Sequence, residues 1–285
     1  MPLAVLNVRP SRLKSLHLVR TDNRNKDLAL QCIGERVLLY APADEPRRGY
    51  FGTARIADVN PDLTQRRFIF VALEEVSLLN RFVALEELAA PIESRAYRAD
   101  GSLDFSYFSM SIRGLTLDDQ RAAHALLTRT EASTGFGESA QTELSVHPAS
   151  FGSRGRRLRE EGARNTRLRW SVLEVYGAAC AMCGDDDAVH ELGAYEVEVC
   201  HLRPLRQAGP DELTNAMPMC RKHHWAYDWG LFTLAEVGQI IPSIRMPPSL
   251  HRRFNGQTRA RFPSTRQAWP KAEHLRFHRE KVFLG

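Results

Sequence analysis

Cys180-Ala-Met-Cys183, Glu198-Val-Cys-His201-Leu-Arg-Pro204, Asn215 and Cys220-Arg-Lys-His223-His224-Trp-Ala-Tyr-Asp228-Trp-Gly230 all fall within residues 180–230. Two patterns are interleaved in this stretch. Cys180, Cys183, Cys220 and His223 are the four soft or borderline donors that a tetrahedral zinc ion takes. Cys180 and Cys183 fit one tight turn, and Cys220 and His223, three apart, share a face if the segment is helical. Such a metal would staple a module that has few long apolar runs.

The second pattern is His201, Asn215 and His224. A structural zinc has no use for it, so it points to chemistry. Glu196-Val-Glu-Val-Cys-His201 alternates like a strand that ends at His201, and Pro204 stops further pairing. A histidine there can be neutral near pH 7 and take a proton from water. Asn215, in the following loop, can tie down the backbone. His224 comes directly after the zinc donor His223. The zinc would thus fix the helix that presents a ligand to a second divalent ion, Mg²⁺ or Mn²⁺, able to neutralise a scissile phosphate.

Outward from this stretch, the chain has 285 residues, 43% of them hydrophobic, enough for two modest domains. No apolar run reaches the length of a membrane span, and the N-terminus lacks a signal-peptide layout. The expected location is cytoplasmic, with no membrane partner, and in a reducing compartment Cys-x-x-Cys signals metal more often than a disulfide. Net charge is +5. Between Ser153 and Trp170 stand Arg154, Arg156, Arg157, Arg159, Arg164, Arg167 and Arg169 against Glu160 and Glu161 alone. Such a run suits phosphate binding, or a solvated helix face. Beside the site it marks Arg156, Arg157 and Arg167, together with Arg203, as candidate DNA contacts.

The overall pattern predicts an α+β protein. Residues 1–115 read as β-rich, with strands at Val37–Tyr40, Tyr50–Val59 and Arg67–Leu73, the last two flanking a turn at Asn60-Pro-Asp62. Leu117–Leu127 is a short helix with Thr116 and Asp118 as caps. Residues 116–165 combine this helix with a Ser-, Thr- and Gly-rich linker over 130–155. Residues 166–285 form the second domain. It opens with a helix from Thr166 that Gly177 closes. A short strand follows at Leu231–Leu234, then a loop-like tail over 242–270, then a terminal helix over Lys271–Phe283.

The Glu198-x-x-His201-x-x-Pro204, Asn215 and His224-Trp-x-Tyr-Asp228-x-Gly230 pattern resembles the HNH, or ββα-metal, endonucleases. That resemblance implies His201 as the general base, Asn215 as the residue that holds the loop, and His224 as a ligand of the catalytic metal. Many members carry a metal ligand just before the base. Here that position is Cys200, so Glu198, on the same strand face, is expected to supply the carboxylate, with Asp228 as a partner of His224 or a local helix-end contact. The whole layout also resembles restriction endonucleases that join an N-terminal domain to a C-terminal HNH module, on Tyr50-Phe-Gly-Thr-Ala-Arg-Ile56 and the ending Leu275-Arg-Phe-His-Arg-Glu-Lys-Val-Phe283. Some of those read modified bases with a PUA-like barrel. For this chain that implies a PUA-like sensor for modified, notably cytosine-modified, double-stranded DNA, and a zinc-stapled nuclease module.

A flipped base is clamped between aromatic side chains, and Tyr40, Tyr50, Phe51 and Phe82 are the candidates, although each could equally fill a barrel core. Two other readings stay open: a non-catalytic zinc module that binds DNA, and a nuclease for RNA or for particular structures. A homodimer is an open possibility for the assembly.

Overall fold

The computed structural model describes residues 1–10, 13, 17–42, 45, 47–88, 91–132 and 155–285, with side chains at 129–132 and 155–165 left out. The linker expected over 130–155 falls almost wholly outside the described residues, and so do the side chains of Arg156 and Arg157. The chain folds as two compact units, Met1–Val59 with Arg67–Ala163, and Asn60–Arg66 with Arg164–Gly285.

The N-terminal unit is a curled six-stranded half-barrel sheet. Its elements in chain order are β1 (Ala4–Asn7), β2 (Leu18–Asp22), α1 (Lys26–Gln31), β3 (Arg36–Ala41), β4 (Gly49–Pro61), β5 (Phe68–Val83), β6 (Ile112–Gly114) and α2 (Leu117–Ala132). The strand order is β2-β5-β4-β3-β1-β6. β1 runs parallel to β3, with Ala4 opposite Val37, and antiparallel to β6. Five of the six residues of β3 are buried, so both of its faces are covered and its sequence reads as an apolar run. The strands expected at 37–40, 50–59 and 67–73 are present and longer; α1, β1 and β2 carry too little periodicity to be read from sequence.

Two glycines in β4 let the backbones of β4 and β5 meet closely. A side chain at Gly49 would lie 2.4 Å from the Val83 carbonyl oxygen, and one at Gly52 would lie 2.6 Å from that of Ser77. Thr116 caps α2 as expected, but its reciprocal partner is Asp119, one residue beyond the expected Asp118. The Asp119 amide donates to Thr116 Oγ1 at 3.2 Å, and Asp119 Oδ2 accepts from the Thr116 amide at 3.0 Å. Asp118 pairs with Arg121 instead.

The core of this unit encloses one fully buried ion pair, Glu93 with Arg113. Arg113 donates to both Glu93 oxygens, at 2.5 and 3.1 Å, and to Asn7 Oδ1 at 2.6 Å. The Tyr50 hydroxyl donates to Glu93 at 2.7 Å. Nearly every lone pair and proton of the pair is thus used, the condition for burying charge.

The C-terminal unit is built from short elements: the end of α3 (Gly155–Tyr176), β7 (Ala188–Val189), β8 (Ala194–Tyr195), β9 (Glu198–His201), β10 (Ala216–Met219), α4 (Arg221–Asp228), β11 (Phe232–Leu234), β12 (Ile240–Pro242), α5 (Pro248–His251) and α6 (Ala272–Lys281). Helix α3 begins earlier than the Thr166 expected, at Gly155, and Gly177 closes it in the left-handed region at φ +82°. The tail over 242–270 is more than loop: α5 and the turn after it put Leu250 and Phe254 into the core.

β9 and β10 pair antiparallel, His201 opposite Ala216 and Glu198 opposite Met219, and α4 follows one residue later. This ββα unit is the frame of the site. Met217, Met219, Cys200, Leu202, Ala226, Tyr227, Phe232 and Leu275 close its core.

Candidate metal and catalytic centre

The Cys-x-x-Cys turn is set by backbone bonds. The Gly184 amide donates to the Cys180 carbonyl at 2.9 Å, with Gly184 at φ +81°, where an L side chain would be strained. The Ala181 amide donates to the Pro218 carbonyl of β10 at 2.9 Å, which brings the turn alongside the ββα unit. Cys220 is the N-cap of α4 and His223 ends its first turn. The donor atoms of Cys180, Cys183, Cys220 and His223 consequently lie within 4.8 Å of one another. His223 Nδ1 faces the Cys220 sulfur at 3.1 Å and the Cys180 sulfur at 3.6 Å.

Three sulfurs and one imidazole, mostly buried, fit a tetrahedral structural zinc. Burial alone would lower the affinity of His223 for a proton, but the Cys180 and Cys220 sulfurs override it and raise the imidazole to about 9.

The second set lies along β9, the loop after it and α4. His201 ends β9, and its Nε2 is 2.9 Å from Asp211 Oδ1. Asn215 is fully buried and fully used. Its Oδ1 accepts from the Arg203 amide at 2.8 Å, and its Nδ2 donates to the carbonyls of Arg203 at 3.0 Å and Pro210 at 2.8 Å. The loop is so tight that a side chain at Gly209 would sit 1.9 Å from the Arg203 carbonyl oxygen.

His224 is next to His223 but a helical step of about 100° round α4, so its ring is partly exposed where His223 is buried. Its Nδ1 is 2.8 Å from Glu198 Oε2, and its Nε2 is 3.6 Å from Asp228 Oδ2. Arg221 Nε holds the other Glu198 oxygen at 3.2 Å. One donor atom each from Cys200, His224 and Asp228 lies within 4.8 Å of the other two. Glu198, the carboxylate expected to join His224 at the catalytic ion, lies against the ring nitrogen of His224 that faces away from Asp228. Cys200 is buried in the core, and burial pushes its thiol well up.

Of the arginines expected to meet DNA, Arg167 is exposed, whereas Arg203 is held in the loop, donating to the Gln207 carbonyl at 2.9 Å and stacking over Phe277 at 4.5 Å. The four candidate aromatics do not share one cavity. Tyr40 and Tyr50 are buried edge to face, 5.2 Å apart, while Phe51 stacks on Phe82 at 5.4 Å. Tyr50 pairs with Tyr40 across β3 and β4, and the register slips by one residue at Phe51, which packs in the separate Phe82 pair.

Sequence reasoning missed Asp211, although an acidic residue between His201 and Asn215 was a usable signal. It also missed Trp225 and Trp229, which are 53% and 64% exposed on and just after α4. Only exposure identifies them, and no pattern in the chain reveals it.

Residues 180–235 match the family described as HNH endonuclease. The chain carries an HNH endonuclease segment and is a nuclease. A search of the curated proteins finds no match. Among solved structures, the chain is similar to a modification-dependent TagI restriction endonuclease at 14% identity and TM-score 0.35, over 92% of this chain and 69% of that one. It is similar to an ASCH protein from Zymomonas mobilis at 13% identity and TM-score 0.29, over 43% of this chain and 94% of that one. It is also similar to the phosphorothioation-dependent Type IV restriction endonuclease ScoMcrA at 13% identity and TM-score 0.21, over 98% of this chain and 57% of that one. No helix of the described residues is long and apolar enough to cross a membrane.

Proposed function

We propose that the chain is a metal-dependent DNA endonuclease of the cytoplasm, directed to modified DNA by its PUA-like N-terminal unit. The observation that carries the catalytic half is the ββα unit within the HNH-matched segment, where His201 ends β9 against an acidic partner and His224 stands on α4 against another. His201 is the general base. Asp211 fixes one nitrogen of its ring, which leaves the other to take a proton from water. The water oxygen then attacks phosphorus and the bond to the leaving oxygen breaks. Asn215 keeps the His201 loop in register. His224 ligates a divalent ion whose charge offsets that of the phosphate.

Arg167, Arg221, Lys222 and the two exposed tryptophans offer the charge and flat surface that a DNA backbone and its bases favour. Recognition belongs to the N-terminal unit because the nuclease residues are spent on one phosphate and one water. Phe82, partly exposed and stacked on Phe51, is the aromatic surface best placed there to meet an extruded base.

The test is plasmid cleavage with divalent metal on unmodified and on cytosine-modified DNA. Wild type is expected to cut the modified plasmid preferentially. His201→Ala should lose on the order of 10²–10⁴-fold in rate, the usual share of a general base, and keep its DNA affinity. Equal cutting of both plasmids would remove the sensor reading and leave a general endonuclease. No cutting of any DNA would leave a zinc module that only binds.

A further inference from the structure

Resting on the nuclease reading of His201, we propose that Glu212 is a positioning residue for the general base. Clamped by Lys271 and His274 at the start of α6, it holds the neighbouring Asp211 against the His201 ring.

Between His201 and β10 the chain runs through two short turns, at Leu205–Gln207 and Leu213–Asn215, joined by loop. The backbone around Asp211 is therefore fixed by what lies on either side of it. On one side the Asn215 side chain holds the Pro210 carbonyl at 2.8 Å. On the other side stands Glu212, extended at φ −139° and ψ 157°. The two adjacent carboxylates reach different partners. Asp211 Oδ1 meets His201 Nε2 at 2.9 Å, whereas Glu212 Oε1 accepts from Lys271 Nζ at 2.8 Å and from Thr214 Oγ1 at 2.6 Å. The Lys271 amide also donates to the Thr214 carbonyl at 3.0 Å, and the buried His274 faces the same Glu212 oxygen with Nε2 at 3.6 Å. Lys271 foremost, then Thr214 and His274, keeps the Glu212 carboxyl down at about 2, so the clamp stays charged through the neutral range.

Helix α6 is a firm base for this clamp. Its Leu275 and His278 are fully buried, and the His278 ring stacks on Tyr227 of α4. Its Phe277 lies under the Arg203 guanidinium at 4.5 Å, near the start of the same loop. The helix thus meets the loop at both ends and α4 besides, from outside the family-matched residues 180–235. A histidine base works only while its ring is held in line with the water it activates. Asp211 holds the ring, and Glu212 holds Asp211.

The experiment uses the full, zinc-replete chain with isotope-labelled histidine. The hydrogen of His201 Nε2, donated to Asp211, is expected as a protected nuclear resonance signal that His201→Gln and Asp211→Ala remove. Glu212→Ala and Lys271→Met should speed its exchange with water about 10-fold or more, because the loop opens more often. Lys271→Arg, which restores the cation, should bring the protection back. The melting of the C-terminal unit should hardly move, since the Glu212 and Lys271 side chains are both partly exposed. In plasmid cleavage Glu212→Ala should lower kcat by up to about 100-fold, the scale of a misplaced group, and leave KM for DNA unchanged. In an Asp211→Asn background the same change should cost nothing further, because its effect runs through Asp211.

The proposal is overturned if Glu212→Ala and Lys271→Met leave the exchange of that hydrogen unchanged, or if the kcat losses of Glu212→Ala and Asp211→Asn simply multiply. The exchange rates need no cleavage. A wild-type chain that cuts no DNA while both variants speed the exchange keeps the clamp and sinks the nuclease reading. A chain that cuts DNA, with neither kcat nor exchange altered in Glu212→Ala, does the reverse.

Discussion

In the N-terminal unit β5 spans 16 residues and β4 spans 13, whereas no described strand of the C-terminal unit exceeds 4. Long strands register one another through many ladder bonds and bury several apolar side chains each, as Ile69, Phe70, Val71 and Leu73 are buried in the first half of β5. Two- to four-residue strands have few of either. The first unit therefore stands on its sheet, with one buried ion pair inside it. The second holds its ββα frame through a Cys₃His set at the entrance to α4, the helix that also presents His224. A staple at the base of that helix puts the rigidity where the chemistry needs it and leaves the far side of α4 free to carry exposed groups.

The sharpest way to break this contrast is to remove the metal. Zinc removal, or Cys180→Ser, should abolish the cooperative melting of the C-terminal unit and spare that of the N-terminal unit. Structural zinc in small modules carries apparent binding free energies of roughly 10–16 kcal/mol, far more than such a unit has to spare. Elemental analysis should find about one zinc tightly held per chain, and calorimetry of the stripped protein should show a single surviving transition. If both transitions persist in zinc-free protein, the short strands hold the second unit without help and the contrast fails.

The converse test lies in the first unit. Glu93→Ala leaves Arg113 charged, buried and without its main partner. Breaking such a pair typically costs about 3–5 kcal/mol. The loss should appear in the N-terminal transition alone and be indifferent to zinc. Replacing Glu93 and Arg113 together by apolar residues of similar volume should recover much of it, since the pair has to offset its own desolvation. Full stability of Glu93→Ala would mean that the pair adds nothing to the sheet.

How much of this was legible in the sequence follows the same division. The zinc donors and the His201, Asn215 and His224 triplet could be read because metal ligation and backbone ties demand particular residue types at particular spacings. The folded chain brings the four zinc donors within 4.8 Å of one another, ties Asn215 to the Arg203 backbone and sets His224 against Glu198. Cys200 and Asp228 were weighed without a decision, because strand and helix faces meet only in three dimensions. Glu198 and Asp228 face opposite nitrogens of the His224 ring, which no spacing in the sequence reveals. In the first unit the apolar run of β3 was visible, but the turn expected at Asn60-Pro-Asp62 comes later, over 63–67, because β4 runs on through Pro61. The aromatic grouping was not visible, because a register slip in β4 at Phe51 sends that ring to Phe82 while Tyr50 joins the Glu93 network. Nothing in the sequence singles out Arg113 and Glu93, since burial of an ion pair leaves no mark on local sequence.

The smallest expected effect is on pH dependence, and it again separates the units. His278, on α6, is fully buried against Tyr227, the ring centroids 3.6 Å apart. Its Nε2 lies 2.9 Å from the Tyr227 carbonyl, so that nitrogen carries the hydrogen and Nδ1 accepts from the Thr233 hydroxyl at 2.9 Å. This geometry serves the neutral ring, and burial lowers the imidazole to about 4. Protons therefore favour the unfolded chain, where a histidine titrates near 6.5. The contribution of His278 is complete above about pH 6.5 and is lost as pH falls toward 4, to a limit of about 3 kcal/mol. Among the described residues, no histidine of the N-terminal unit is buried. Melts between pH 7.5 and 5 in saturating zinc should thus lower the C-terminal transition more than the N-terminal one. His278→Gln keeps a donor but cannot titrate, so the C-terminal transition should start lower and change less with pH. Zinc ligands titrate equally in both proteins, so the difference in slope belongs to His278; identical slopes would show that the ring is not held neutral by the fold.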